Sequence, residues 1–173
     1  DAELRFKRAD GIYRWFHAHA IPVRDQNGHV LKWVGTYTDI HDRKQAQEIQ
    51  ARLAAIVESS SDAIMSKDLD GRILSWNKSA ELMFGYPSGE IIGQPILRIL
   101  PPDHRAEESI LIEEIKAGIR IQQFKSIQIH KDGHTIQVSL TVSPILDANG
   151  QVAAVSTIAR DITERKRAEA TVN

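Results

Sequence analysis

One arrangement of turns and strands occurs twice in this chain, and this repetition limits the folds that the chain can adopt. In the second copy, Asp132-Gly133 and Asn149-Gly150 flank an alternating segment. In the first copy, Asp10-Gly11 and Asn27-Gly28 occupy the same places, at a constant offset of 122 residues (133 − 11 = 150 − 28). This period fits one small domain plus a connector. The sequence therefore predicts the C-terminal part of one domain followed by a whole domain of the same kind.

The repeated unit is predicted to be rich in strands and to end in a helix. Its Asp-Gly and Asn-Gly pairs favour the positive φ angles of two-residue hairpin turns. Residues 135–143 alternate between apolar and polar side chains, as in a half-buried strand. A second strand follows Gly150 and ends at Asp161, where Glu164 three residues later indicates the start of a charged helix.

The region between the two copies is predicted to contain two strands and then helices. Residues 62–77 form a hairpin, and Asn77 is placed to cap a short helix that ends at Gly85. A longer amphipathic helix, 105–117, follows a region broken by prolines, and the next strand covers 124–130. This order predicts an α+β domain with a five-stranded antiparallel sheet and helices on one face.

Four segments are expected. Residues 1–39 form the C-terminal half of a first domain, 40–58 a helical linker, 59–163 a complete second domain, and 164–173 the start of an output helix. In the linker, a seam of apolar residues is spaced three, four and three apart, as in a short coiled coil: Ala46, Ile49, Leu53 and Ile56. A dimer seam and a helix packed on its own sheet both fit this spacing.

Several short motifs, in a fixed order, make residues 52–166 resemble a PAS domain, and residues 4–44 resemble the C-terminal half of another. The motifs are Asp62-Ala63-Ile64, Asp70-Gly71-Arg72-Ile73, Trp76-Asn77-Lys78-Ser79-Ala80-Glu81, Phe84-Gly85-Tyr86, Ile92-Gly93-Gln94-Pro95, Lys131-Asp132-Gly133 and Arg160-Asp161-Ile162-Thr163.

The resemblance implies a sensory or relay module of a larger signalling protein. In the family this is most often a sensor histidine kinase, and less often a diguanylate cyclase or phosphodiesterase; a ligand-free structural dimerisation spacer is a further alternative. It also implies a junction between the last strand and the output helix at Asp161, Ile162 and Thr163. The first copy matches at Asp39 and Ile40 but has His41 in place of the threonine. A solvated His41 is expected, against a looser or pH-dependent junction.

The interior of the second domain is expected to be mostly aliphatic. Its candidate pocket residues are Phe84, Ile92, Ile96, Leu100, Ile110, Leu111, Ile115, Phe124, Val138, Leu140 and Val142. Such a set closes most simply into a dry core, whereas a ligand pocket usually adds convergent polar groups. A packed core and a site for a small ligand of unknown identity both remain open.

No cofactor is predicted. The chain has no cysteine, which excludes the covalent flavin chemistry that the resemblance would allow. Haem is not favoured, because Glu107 takes the place of the axial histidine, His104 lies about one turn early, and the distal arginine falls near Phe124 or Lys125. His104 is expected to be a solvent-exposed residue at the start of the helix. No metal site is predicted.

The remaining histidines are given structural interpretations. His17 and His19 face the same way on a strand, but no third ligand is near them in sequence. His130 and His134 flank a turn and are expected to be solvated. No nucleophile and base lie at a spacing that indicates catalysis, so the chain is not expected to be an enzyme itself.

Composition bears on partners and location. The net charge is −1, with 26% charged and 42% hydrophobic residues, so neither nucleic acid nor an anionic membrane is predicted as a partner. No apolar run is long enough to span a bilayer. A homodimer, a C-terminal kinase output domain and a cytoplasmic location are expected, with any membrane anchor upstream.

Overall fold

The structure is a computed structural model that describes residues 1–171, with side chains described through residue 168. The chain divides into two compact units, the second beginning at Ile56. The first unit contains three antiparallel strands in the order β1-β2-β3 and most of helix α1. These elements are β1 (Ala2–Lys7), β2 (Tyr13–Arg24), β3 (Val30–Asp39) and α1 (His41–Glu58).

The second unit is built on a five-stranded antiparallel sheet with the strand order β5-β4-β8-β7-β6. Its elements are β4 (Ala63–Asp68), β5 (Ile73–Trp76), α2 (Lys78–Phe84), α3 (Ser88–Ile91), two 3-10 turns (Ile96–Ile99 and Pro102–His104), α4 (Arg105–Lys116), β6 (Ile121–Ile129), β7 (Thr135–Leu146), β8 (Val152–Asp161) and α5 (Thr163–Thr171). The predicted α+β fold is confirmed. Within residues 1–171, the helices are too short or too polar to cross a membrane.

The alternation of strand β7 creates the sheet side of the core. Its inward residues Ile136, Val138, Leu140 and Val142 are all buried. Apolar side chains from the helical region cover them and are buried as well: Phe84, Ile91, Ile96, Ile99, Ile112 and Ile115. The opposite face of β7 carries Ser139, Thr141 and Ser143, which are partly exposed. The helices therefore lie on one face of the sheet, as predicted.

The tight turns differ from the sequence prediction. In the first hairpin, the Arg8 N–H donates to the Ile12 carbonyl (2.8 Å) and the Gly11 N–H donates to the Arg8 carbonyl (3.0 Å), which defines a three-residue loop. Gly11 has a positive φ of 86°, whereas Asp10 does not. The turns at Gly28, Gly133 and Gly150 repeat this pattern. The predicted two-residue turns are therefore wrong. An ordinary turn followed by one left-handed residue is enough to reverse the chain, so the second positive φ angle is not needed.

Asn77 joins four segments of the second unit. Its Oδ1 accepts hydrogen bonds from the N–H groups of Ala80 and Ile64, each at 2.9 Å. Its Nδ2 donates to the carbonyls of Val57 (2.9 Å) and Asp62 (3.1 Å). The predicted cap of α2 is confirmed, and the same buried amide also connects the end of α1 to β4.

An ion pair joins the start of strand β4 to the end of its neighbour β8. Arg160, near the end of β8, donates from Nε to Asp62 Oδ1 (3.0 Å) and from Nη2 to Asp62 Oδ2 (2.7 Å). Two parallel bonds between a guanidinium and a carboxylate fix the geometry as well as the charge. Because Asp62 lies just before β4, this pair fixes the start of β4 against the end of β8.

The Asp62–Arg160 pair predicts a measurable acid titration. The hydrogen bond from Arg160 holds the pKa of Asp62 below its ordinary value of 3.8. Because the folded-state pKa is depressed, the stabilisation is present above the ordinary value and is lost as the pH falls through the folded-state pKa. We expect an NMR titration of the Asp62 carboxyl carbon to have its midpoint below 3.8, and Arg160→Gln to raise it. Arg98→Gln, at an exposed arginine, should leave it in place; an equal shift in both variants would contradict the assignment.

Candidate functional site

The second unit has an interior cavity of about 20 Å³ between the sheet and helix α4. Apolar and polar side chains both line it: Met65, Lys67, Ile96, Leu100, His104, Glu107, Glu108, Leu111, Ser126, Gln128, Leu140, Val142 and Thr157. A cavity of about this size accommodates roughly one water molecule. A haem or a flavin is much larger than this cavity, so we assign neither group to this site.

A buried ion pair crosses this cavity. Every second residue of β4 points into the interior, and Lys67 is one of these residues together with Ala63 and Met65. There the Lys67 Nζ donates to Glu108 Oε1 from the first turn of α4, and the two side chains are 6% and 12% exposed. Two opposite charges at this depth are stable together but costly to separate. The pair therefore connects the central sheet to the helix that covers it.

Further polar groups surround the ion pair. Ser126 and Gln128 share the inward face of β6, Thr157 lies on β8, and all three are buried. The Gln128 Oε1 atom has no hydrogen-bond partner among the described residues. A buried amide oxygen without a donor is energetically unfavourable, and a water or a ligand with a donor group would relieve it. This arrangement suits one water molecule, and a larger polar molecule would have to displace helix α4 to enter.

The mouth of the cavity carries a second acidic group and a histidine. Here, Glu107 Oε1 lies 3.0 Å from His104 Nδ1. His104 is partly buried rather than solvent-exposed as predicted, because it lies at the start of α4 and turns towards the cavity.

The predicted pocket residues fall into three groups. Ile96, Leu100, Leu111, Leu140 and Val142 line the cavity. Phe84, Ile115 and Val138 are buried in the surrounding core, and Phe124 is half-buried against it. Ile92 and Ile110 are 47% and 61% exposed, which corrects their inward assignment.

The two exposed residues have clear geometric reasons. Ile110 and Ile115 are five residues apart, so they point about 140° away from each other around a helix and cannot both face the sheet. Ile112, which the sequence interpretation left out, takes the inward position with Ile115. Ile92 follows the last residue of α3 and has non-helical dihedral angles (φ −60°, ψ 134°), so the spacing of a helix does not set the direction of its side chain.

The polar lining of the cavity was missed by the sequence interpretation, although a signal for it existed. Lys67 shares the parity of Met65, and Ser126 and Gln128 follow the period-two rule on β6. A polar residue on the inward parity of a strand indicates a buried polar group. The interpretation considered the apolar members of each strand and therefore expected an aliphatic interior.

The junction between strand β8 and helix α5 consists of three hydrogen bonds. The Ile162 N–H donates to the Gln137 carbonyl (2.9 Å), and the Gln137 N–H donates to Thr163 Oγ1 (3.1 Å). The Thr163 N–H donates to Asp161 Oδ1 (2.7 Å). These contacts attach the first turn of α5 to strand β7, which also supplies two cavity residues.

The first copy repeats two of these three bonds. The Ile40 N–H donates to the Trp15 carbonyl and the His41 N–H donates to Asp39 Oδ1, each at 2.9 Å. The side chain of His41 is partly buried, and its Nδ1 has no hydrogen-bond partner among the described residues. The expectation of a solvated His41 is therefore wrong, because the side chain begins α1 in the place that Thr163 takes in the second copy.

The linker seam is exposed in this chain. Helix α1 has no buried residue, and Ala46, Ile49, Leu53 and Ile56 are all exposed. Packing of the seam on its own sheet, one of the two sequence interpretations, is therefore not observed. Its role in a dimer stays a prediction.

Histidines outside the cavity lie near carboxylates. His19 Nδ1 lies 2.5 Å from Asp1 Oδ1, and His17 Nε2 lies 3.8 Å from the same oxygen. His130 is partly buried rather than solvated as predicted, because it packs against Gly85. His134 is exposed, as predicted.

Comparison with known families gives a match over most of the second unit. A family model described as PAS fold matches residues 57–167, and another with the same description matches residues 1–37. This chain belongs to the PAS family. A crystal structure of a PAS domain from Colwellia psychrerythraea is 30% identical, with a TM-score of 0.63, and the match covers 67% of this chain and 98% of that chain. A PAS domain is itself a sensory module.

Three curated relatives contain regions similar to this chain. Biofilm dispersion protein BdlA of Pseudomonas aeruginosa is 29% identical over 91% of this chain and 38% of its own length. The signal transduction histidine-protein kinase AtoS of Escherichia coli is 27% identical over 66% of the chain and 18% of its own length. The probable diguanylate cyclase DgcE of the same organism is 26% identical over 95% of the chain and 15% of its own length. The chain thus spans well under half of each relative, and two of the three are named as a signal transduction histidine-protein kinase and a probable diguanylate cyclase.

Proposed function

We propose that this chain is the sensory input of a sensor histidine kinase and passes its signal through helices in a homodimer. The observation that carries the proposal is that one strand, β7, supplies both the cavity and the helix junction. Leu140 and Val142 line the cavity, and Gln137 on the same strand holds Ile162 and Thr163. A change in the cavity has a short physical route to α5.

The proposed mechanism begins at the Lys67–Glu108 pair. A small polar ligand that hydrogen-bonds to Gln128 and competes for either charge would shift α4 relative to the sheet. Lys67 is paired in register with Val155 on β8, and Val142 with Thr157 on the same strand. The displacement would therefore reach the last two strands and alter the start of α5. Such a switch requires that the ligand bind the two arrangements with different affinities.

Two other functions have support of their own. The similarity to DgcE over 95% of the chain favours the input module of a diguanylate cyclase as the second candidate. The cavity of about 20 Å³ favours a ligand-free dimerisation spacer as the third. The output class is decided by assaying the full-length protein: a histidine kinase incorporates the γ-phosphate of ATP on histidine, whereas a diguanylate cyclase forms cyclic diguanylate from GTP.

Native mass spectrometry of this chain tests the sensory proposal and the dimer together. We expect a dimer that carries a non-covalent small molecule, and we expect that mass to disappear on denaturation. Gln128→Leu should reduce ligand occupancy while leaving the dimer intact, because it removes the polar atoms without changing α1. A dimer without added mass, in protein purified from the native source, would support the spacer instead.

The linker seam gives a matched pair of variants for the dimer. Leu53→Asp should shift the chain towards monomer, because it places a carboxylate in an apolar seam. Ala51→Asp adds the same charge about 140° around the helix from Ala46, at another exposed position of α1, and should leave the dimer intact. Analytical ultracentrifugation reports both. A dimer that persists in Leu53→Asp would exclude the seam as the interface.

A further inference from the structure

The tip of the β6–β7 hairpin brings two histidines together. The His130 N–H donates to the His134 carbonyl (2.9 Å) across the three-residue loop, so the two residues face each other directly. Side chains of directly opposed residues lie on the same side of a hairpin. The two rings are stacked, with 4.5 Å between centroids and 20° between planes.

Asp132 completes a cluster of three potential metal ligands. Its Oδ1 lies 2.6 Å from His134 Nδ1 and 3.0 Å from His130 Nδ1. All three candidate ligand atoms lie within 4.8 Å of one another.

The hydrogen bonding within the cluster leaves a place for a cation. His130 Nδ1 lies 3.2 Å from the Asp132 N–H and 3.0 Å from Asp132 Oδ1. A single ring nitrogen cannot accept a hydrogen bond from the first group and donate one to the second at the same time. In the tautomer that has no proton on Nδ1, a cation between Nδ1 and Oδ1 accepts electron pairs from both atoms, in place of the longer bond from the N–H.

The cluster is held in place by the neighbouring helix. The Lys131 N–H donates to the Phe84 carbonyl (2.9 Å), which attaches the hairpin tip to the end of α2. His130 packs on Gly85 so closely that a Cβ there would lie 2.4 Å from its Nε2. The ammonium of Lys131 points to Glu90 (2.5 Å) and the ring of Tyr86 (5.4 Å). Its positive charge is thus engaged by groups outside the cluster.

We propose that His130, Asp132 and His134 form a binding site for a divalent transition-metal ion such as Zn²⁺. Two imidazoles and one carboxylate are a donor set that Zn²⁺ accepts, with the fourth position open to water or an external ligand. Imidazole ligands favour zinc, copper, nickel and iron over magnesium and calcium. The site lies at a hairpin tip, does not include the cavity residues, and does not rest on the proposed sensory function.

The first copy of the repeat shows that this cluster is not a general property of the turn. The equivalent loop has the same backbone hydrogen bonds. By the 122-residue offset, however, Arg8 and Ile12 replace the two histidines. Arg8 Nε lies 3.5 Å from Asp10 Oδ2, so a guanidinium takes the place that we assign to the metal.

Isothermal titration calorimetry of the chain with Zn²⁺ alone tests the site. We expect a binding event that His134→Ala weakens at least about tenfold, since loss of even an outer-shell partner weakens metal binding by 10–100-fold. His134 is exposed, so this substitution leaves the core unchanged. Asp132→Asn, which keeps the shape of the side chain, should weaken binding as well.

The Asp1, His17 and His19 cluster is the competing site and supplies the control. The double variant His17→Ala/His19→Ala should bind Zn²⁺ as the unmodified chain does. Backbone amide NMR signals of residues 130–134 should shift on addition of Zn²⁺, and those of residues 8–12 should not. Binding that survives His134→Ala, binding that disappears in the double variant, or no heat and no shift at millimolar Zn²⁺ would each overturn the proposal.

Discussion

Asn77→Asp should destabilise the second unit by at least about 2 kcal/mol. The substitution keeps the size of the side chain but replaces the Nδ2 donor with an oxygen. That oxygen would face the carbonyls of Val57 and Asp62, which now accept at 2.9 and 3.1 Å. A buried polar group without a partner costs about 1–3 kcal/mol, and a carboxylate beside two carbonyl oxygens adds repulsion. The measurement is urea unfolding at neutral pH, followed by tryptophan fluorescence, to which the buried Trp76 contributes the signal of the second unit.

The effect of Asn77→Asp should be largest where α1 ends. The Val57 carbonyl retains the weaker hydrogen bond from the Ser60 N–H (3.3 Å), so the connection from α1 to β4 loosens before the sheet does. Amide hydrogen exchange near residues 57–64 should therefore accelerate more than exchange in β7. Asn149→Asp makes the same chemical change at an exposed turn and should cost little. Equal destabilisation by the two variants would refute the assigned role of the amide.

Glu108→Gln should destabilise the second unit by about 3–5 kcal/mol, because it leaves the Lys67 charge buried without its partner. The side chains of Lys67 and Glu108 are only 6% and 12% exposed. Lys67→Met should be costly for the same reason. The double variant Lys67→Met/Glu108→Leu should recover most of the loss, since well-packed apolar residues often replace a buried ion pair without cost. Urea unfolding of the unmodified chain, Lys67→Met, Glu108→Leu and the double variant gives the coupling free energy directly.

An exposed ion pair on the same helix is the matched control for Glu108→Gln. Lys116 Nζ lies 2.9 Å from Glu113 Oε1, and the two side chains are 43% and 73% exposed. Glu113→Gln should change stability by no more than about 1 kcal/mol, as is usual for surface pairs. If Glu108→Gln cost as little as Glu113→Gln, the Lys67 charge would be solvated and the cavity would not be a closed polar site.

The elements of the second unit were predictable because their local signals agree with their surroundings. Asn77 and Gly85 define the two ends of α2, and the alternation of β7 predicts its buried face. Strand β6 begins at Ile121, three residues before the predicted start. Gln123 has a positive φ of 54° and lies at a shift in the β6–β7 register. No pattern in a single sequence indicates such a bulge.

The candidate site was harder to predict than the fold. The Lys67–Glu108 pair joins residues 41 positions apart, so the sequence around either residue does not indicate its partner. Ile110 appeared to face inward because apolar residues recur at every third or fourth position of α4. These residues form two overlapping apolar stripes, and only one of the stripes can pack against the sheet. The packing of Ile112 and Ile115 decides between them. Contacts that depend on which face of α4 packs against the sheet can be determined only from the folded structure.

The order of strands in the five-stranded sheet has a consequence for synthesis and folding. Strands β6, β7 and β8 are neighbours in sequence as well as in the sheet, so they can form hairpins within microseconds of each other. Strand β4, in contrast, pairs Ala63 with Ala159, 96 residues later (159 − 63). Closing so long a loop costs more entropy than closing a hairpin.

During translation, at roughly 5–20 residues per second, β4 therefore waits several seconds for its partner strand to be made. Until β8 arrives, the strand pair β4–β5 exposes an open edge that other nascent chains could join. The late contact between Asp62 and Arg160 closes that edge. A chain that stalls before Arg160 should therefore depend on chaperones in a way that the completed domain does not.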